Sequence, residues 1–231
     1  MDMIRVEDLA KTFTLHLRGG IALPVLRDAA MRVAAGECVV LLGPSGAGKS
    51  TLLRSIYGNY RPQQGGILIR HDGELVDILR AAPRHMMEIR RRSLGYVTQF
   101  LRVIPRVSTL EVVAEPLLAR GAGVALARQR AAELLHGLQI PEKLWELPPA
   151  TFSGGEQQRI NIARGLCADH PILLLDEPTA SLDAENRMIV INLINDARRR
   201  GTAIVAIVHD DETRAAIATR LLPLQALGVA A

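Results

Sequence analysis

The sequence predicts an α/β fold with a mainly parallel core sheet, an antiparallel β subdomain at the amino terminus and a helical subdomain at about residues 101–160. Three observations predict it. Unbroken apolar runs at Cys38–Leu42, Ile172–Leu175 and Ala203–Val208 have the length of strands covered on both faces. Helical patterns separate them, so parallel strands with crossover helices are the economical arrangement. A glycine-rich segment, Gly43–Gly48, joins the first run to a helical stretch.

In chain order, Phe13, Leu15 and Leu17 alternate with Thr14 and His16, and Gly19-Gly20 suits a hairpin turn. Val25-Leu26 and Met31–Val33 are two further short apolar segments. Lys49–Tyr57 reads as a helix stopped near Gly58. Ile67–Arg70 is a strand, His71-Asp72-Gly73 a turn, His85–Arg92 a helix and Leu94–Val97 a strand. Thr109 to about Gly137 is helical with a break at Gly121–Gly123. Gly155–Ala168 and Ala184–Arg200 are helices. Ala215–Ala231 reads as a short helix-like segment followed by an apolar tail, with no further carboxy-terminal domain.

The 231 residues form one expected domain, 1–231, whose 48% apolar content suffices for a core without disulfides or zinc. Aromatic residues are only 3%, which argues against a base-stacking nucleic-acid binder, and a net charge of +4 is too small to imply a polyanion partner. Cys38 and Cys167 are isolated, which fits a reducing compartment. No signal peptide is read at Met1–Asp8, and no apolar run approaches the ~20 residues of a spanning helix. A cytoplasmic protein with no direct membrane insertion is expected.

Gly43-Pro44-Ser45-Gly46-Ala47-Gly48-Lys49-Ser50, followed by Thr51, matches G-x-x-x-x-G-K-[ST] between a strand and a helix. Glycines let backbone N–H groups curl around phosphate oxygens, and the helix start adds unpaired donors. Lys49 is expected on the β- and γ-phosphates and Ser50 on Mg²⁺. Ile172–Leu175 runs into Asp176 and Glu177. Asp176 suits a Mg²⁺ ligand; Glu177, pointing elsewhere at the strand tip, suits polarising the attacking water. Ser153-Gly154-Gly155 before a helix reads as a second anion nest.

These motifs, with Ser181-Leu182-Asp183 and His209 following in order, resemble the ATP-binding cassette (ABC) ATPases over almost the whole chain. The resemblance implies a P-loop NTPase fold of ABC type, ATP and Mg²⁺ as ligands, and head-to-tail pairing with a second cassette, either a copy or a relative. In that pairing Ser153, Gly154 and Gly155 cap the partner's ATP and Asp183 crosses the interface. It further implies that Gln99 senses Mg²⁺ and water and that His209 contacts the γ-phosphate. Phe13 stands in the place of the adenine-stacking aromatic.

The segments between the motifs are similar to the PhnL-type ATPases of the bacterial carbon–phosphorus lyase system. They are Gly58-Asn59-Tyr60, Phe100–Val107, Ile140-Pro141, Leu144-Trp145 and Leu147–Phe152. That likeness implies a role in phosphonate breakdown beside formation of ribose 1-methylphosphonate 5-triphosphate, with soluble lyase core subunits as partners. The alternative is the nucleotide-binding subunit of a membrane transporter of lipoprotein-release or macrolide-export type. A transporter partner would insert a short cytoplasmic helix into the groove beside Gln99.

Overall fold

The computed structural model describes residues 1–15, 20–101 and 105–227. Two sheets carry the fold. The first is antiparallel, in the order β2-β1-β4-β5, from β1 (Asp2–Leu15), β2 (Ile21–Ala34), β4 (Gln64–His71) and β5 (Glu74–Asp77). The second is parallel, in the order β6-β7-β8-β3-β9. Its strands are β3 (Cys38–Leu42), β6 (Leu94–Val97), β7 (Ile172–Asp176), β8 (Ala203–Ile207) and β9 (Arg220–Pro223). All five residues of β7 and of β8 are buried, as unbroken apolar runs require in a sheet covered on both faces.

Helix α1 (Lys49–Ile56) follows β3, and α2 (Pro83–Arg92) leads into β6. The helical part comprises α3 (Thr109–Ala119), α4 (Val124–Gly137) and α5 (Gly154–Cys167). Ala127, Ala131, Leu134 and Leu135 line the side of α4 that joins the core shared with Ile160, Ala163 and Val97. This period of three and four is the reason the segment is helical. Helices α6 (Ala184–Arg199) and α7 (Asp211–Ile217) complete the chain. The ABC-type fold class, with its antiparallel and parallel sheets and its helical subdomain, is the one observed.

Three details differ from the sequence reading. The segments Val25-Leu26 and Met31–Val33 belong to one long strand, β2, whose Pro24 opposes Thr12 at a register irregularity. Glu74–Asp77 forms β5 after the Asp72-Gly73 turn. The supposed tail contains β9, which lies parallel to β3 with Leu222 opposite Leu41. His16, Leu17 and Gly19 of the expected hairpin lie outside the described residues, as do Arg102, Val103, Ile104 and 228–231.

Candidate active site

The phosphate loop, Gln99, the paired acids and His209 each lie at or just past the carboxyl end of a parallel strand, and Phe13 comes from β1 of the antiparallel sheet. After β3, Gly43, Gly46 and Gly48 have φ of +146°, +81° and +89°. Gly48 is required twice over, because an added Cβ would come within 2.7 Å of Leu26 Cδ2 and 2.8 Å of the Val25 carbonyl. No side chain caps the start of α1, so its first N–H groups are left for an anion. Lys49 Nζ folds back to donate to the Gly43 (2.6 Å) and Pro44 (2.9 Å) carbonyls. A cavity of about 410 Å³ opens over this loop, bounded by Phe13, Val25, the Ser45–Thr51 stretch, Glu177 and His209. Phe13 meets Tyr60 edge to face at 5.2 Å, and the Lys11 ammonium lies 4.9 Å from its ring centre.

Asp176 ends β7 and is 2% exposed. Ser50 Oγ donates to its Oδ1 (3.3 Å) and Tyr96 Oη to its Oδ2 (3.2 Å). Burial is the largest influence on this carboxyl and raises its pKa above the ordinary range, against the hydrogen bonds from Tyr96 and Ser50. Glu177 follows at φ +56°, and this bend turns its side chain out of the sheet. Its Oε1 lies 2.8 Å from His209 Nε2, and its Oε2 accepts from Gln99 Nε2 at 3.3 Å. Glu177, Gln99 and His209, far apart in sequence, thus form one hydrogen-bonded group.

Ser153 caps α5 in a capping box: its N–H and Oγ donate to Glu156 Oε2 (2.9 and 2.7 Å), and Glu156 N–H donates to its Oγ (3.3 Å). Asp183 caps α6, accepting from Asn186 N–H at 2.8 Å. Neither Ser153, Gly154, Gly155 nor Asp183 is among the described residues that line the 410 Å³ cavity. Two contributors escaped the sequence reading. Gln158, 5% exposed, donates to the Glu177 (3.2 Å) and Pro178 (3.1 Å) carbonyls, and Asn161 Nδ2 donates to the Thr98 carbonyl (2.6 Å). A polar residue on the buried side of an amphipathic helix was the available signal for both.

The model of the ABC transporter family matches residues 26–180. The chain belongs to this family. The cassette is 42% identical over 193 residues to the lipoprotein-releasing system ATP-binding protein LolD of Maricaulis maris, covering 82% of this chain and 81% of LolD. It is 38% identical over 223 residues to the macrolide export ATP-binding/permease protein MacB of Brucella abortus. That match takes in 96% of the cassette but only 33% of MacB, so the cassette spans about a third of that relative's length. A solved dimeric cassette in a post-hydrolysis state with ADP and Pi superposes with a TM-score of 0.87 at 30% identity, over 98% of this chain and 97% of that one.

These relatives overturn the PhnL-type reading. Phosphonate breakdown, formation of ribose 1-methylphosphonate 5-triphosphate and soluble lyase core subunits as partners, away from a membrane, all fall with it. Within the segments that suggested PhnL, Trp145 Nε1 donates to the Ile140 carbonyl (2.9 Å) and the Leu147 carbonyl accepts from Thr109 N–H (3.0 Å), while the Phe100 and Leu147 side chains are exposed. Contacts of this kind brace the helical subdomain and carry no information about its partner.

The cassette is an ATP-binding and ATP-hydrolysing subunit with Mg²⁺ as the metal. The donor set fits that ion. Ser50 Oγ and Asp176 are hard oxygens, and a cation beside Asp176 would offset the burial that now disfavours its charge. Among the described residues no group of three or more His, Cys, Asp or Glu could hold a metal ion alone. No helix among the described residues is long and apolar enough to cross a membrane.

Proposed function

We propose that this chain is the ATP-hydrolysing subunit of a membrane exporter of the lipoprotein-release or macrolide-export type, acting as a head-to-tail pair of cassettes on the cytoplasmic side. The likeness to LolD over four-fifths of both chains supports the class. The observation that carries the reading is a second cavity, of about 540 Å³, between α2, α3 and α5. Arg84, Met87 and Arg90 on α2 face Glu115 and Arg164 across it, and Met87 is 70% exposed. Its floor is β6, the strand that runs to Gln99. A groove of this size, in which Met87, Leu94 and Pro116 stand among Arg84, Arg91 and Glu115, suits a short amphipathic helix from a permease.

In the paired state, Lys49 and the loop amides bind the β- and γ-phosphates. Ser50, Asp176 and Gln99 would hold Mg²⁺, which when bound would neutralise charge on the transferring phosphoryl group. Glu177 orients the attacking water and accepts its proton, and His209 fixes the carboxylate and reaches toward the γ-phosphate. Phe13 supports the adenine. Ser153, Gly154 and Gly155 of the partner subunit complete the phosphate shell, and Asp183 lies at the shared interface. The exclusion of these four residues from the chain's own cavity supports a composite site.

A photocrosslinker at position 87 tests the exporter reading in the native host. The expected product is an adduct with a multispan membrane protein, released by detergent and stabilised by ATP in a Glu177→Gln background. Adducts confined to soluble proteins would overturn the reading.

A further inference from the structure

The groove and the metal site share a wall. Tyr96 pairs with Leu174 across β6 and β7, and Asp176 lies two residues further along β7, on the same face as Leu174. That register is why an aromatic at position 96 reaches the carboxylate: Tyr96 Oη donates to Asp176 Oδ2 at 3.2 Å. On its other side the Tyr96 ring lines the 540 Å³ groove and packs against Tyr57, with ring centres 4.9 Å apart. Tyr57 also lines the groove and carries the Arg90 guanidinium over its ring at 4.6 Å. Arg90 is held there by the Tyr57 carbonyl (2.9 Å) and the Asn59 amide oxygen (3.2 Å). A continuous line of contacts therefore runs from the groove surface through Arg90, Tyr57 and Tyr96 to Asp176 and Ser50.

We propose that Tyr96 is a positioning residue for the Mg²⁺ carboxylate, and that through its ring the occupant of the groove acts on metal binding. The second half rests on the exporter reading; the first does not. Asp176 has two oxygens, and the two side-chain donors on them, Ser50 and Tyr96, are the described contacts that set its pose. Ser50 is itself an expected Mg²⁺ ligand. Tyr96 is therefore the donor that still orients the carboxylate when the ion arrives. A shift of the ring by a helix seated in the groove would move that donor while leaving the phosphate loop untouched.

The test is binding of a fluorescent ATP analogue as Mg²⁺ is titrated, in the non-hydrolysing Glu177→Gln protein. Tyr96→Phe keeps the ring and removes only the hydroxyl. The half-saturating Mg²⁺ should rise about three- to tenfold, the range of one net hydrogen bond, while analogue affinity in EDTA stays unchanged. An unchanged Mg²⁺ curve, or an equal loss in EDTA, would overturn the positioning role. For the groove, Met87→Cys is alkylated with a bulky maleimide; Cys38 and Cys167 are buried, and burial pushes their thiols up to about 12 and about 11. The adduct should shift the Mg²⁺ curve in the Tyr96 protein and not in Tyr96→Phe. No shift, or the same shift in both, would overturn the groove link. Neither arm uses a permease, so failure of the exporter reading would leave these curves standing and be seen separately.

Discussion

Exchange of Glu177 for Gln removes one charge and almost no volume. The carboxylate accepts from two sides, from Gln99 Nε2 at 3.3 Å and beside His209 Nε2 at 2.8 Å. A glutamine offers one acceptor oxygen and one NH₂ in their place. Its NH₂ can face His209 only if the imidazole presents a bare Nε2, and a neutral histidine can do so by moving its proton to Nδ1. Its oxygen then still accepts from Gln99. The network survives, and unfolding stability should change by less than about 0.5 kcal/mol, as for a well-tolerated partly exposed substitution. Turnover should not survive. Loss of a general base is worth about 10²–10⁴-fold, or about 2.7–5.4 kcal/mol in the barrier. Phosphate release under single-turnover conditions measures the rate. Gel filtration with ATP and Mg²⁺ should show an accumulated dimer, because the paired state no longer decays by hydrolysis. Turnover within threefold of the parent protein would refute the role given to Glu177, and a monomer at saturating ATP would refute the composite site.

Three further outcomes follow from the packing. Gly48→Ala forces a Cβ onto Leu26 and the Val25 carbonyl at φ +89°, so ATP affinity should fall about five- to 150-fold by equilibrium titration, from overpacking of about 1–3 kcal/mol. Gly165→Ala gains helix propensity but drives a Cβ into Val97 Cγ2 beneath the Gln99 segment. Urea denaturation should show a net loss of up to about 2 kcal/mol, the overpacking cost of about 1–3 kcal/mol less about 1 kcal/mol of propensity. Glu156→Gln tests the capping box. The Ser153 hydroxyl and backbone N–H hold the Glu156 carboxyl below its ordinary range, so its contribution is complete above about pH 4.3 and is lost as pH falls through the lowered native value. Melting temperatures of parent and variant should differ most above pH 5 and converge below pH 4, and a constant difference would contradict this.

The most legible strands in the sequence were those buried on both faces. Ile172–Leu175 and Ala203–Val208 announce themselves because a strand covered on both faces has no polar positions. Strand β9 was not legible, because it lies at the sheet edge and reads Arg220, Leu221, Leu222, Pro223, with three of its four residues exposed. The phosphate loop and the paired acids were legible because their chemistry is local in sequence. Tyr96 was not, since its importance depends on the register of β6 against β7. The cargo was misread for a related cause: Trp145 and Leu147 read as marks of a subfamily, but the Trp145 indole and the Leu147 carbonyl brace the helical subdomain through local hydrogen bonds.

Gln158 is bonded to the backbone of Glu177 and Pro178, and it stands five residues along α5 from Ser153. Five residues of helix are about 7.5 Å of nearly incompressible rod. In the proposed head-to-tail pair that rod would have its tip over one nucleotide and its flank clamped beside the other. Loss of phosphate from either chamber would therefore tug mechanically on its twin, and the two ATP molecules of the pair would be consumed as linked events.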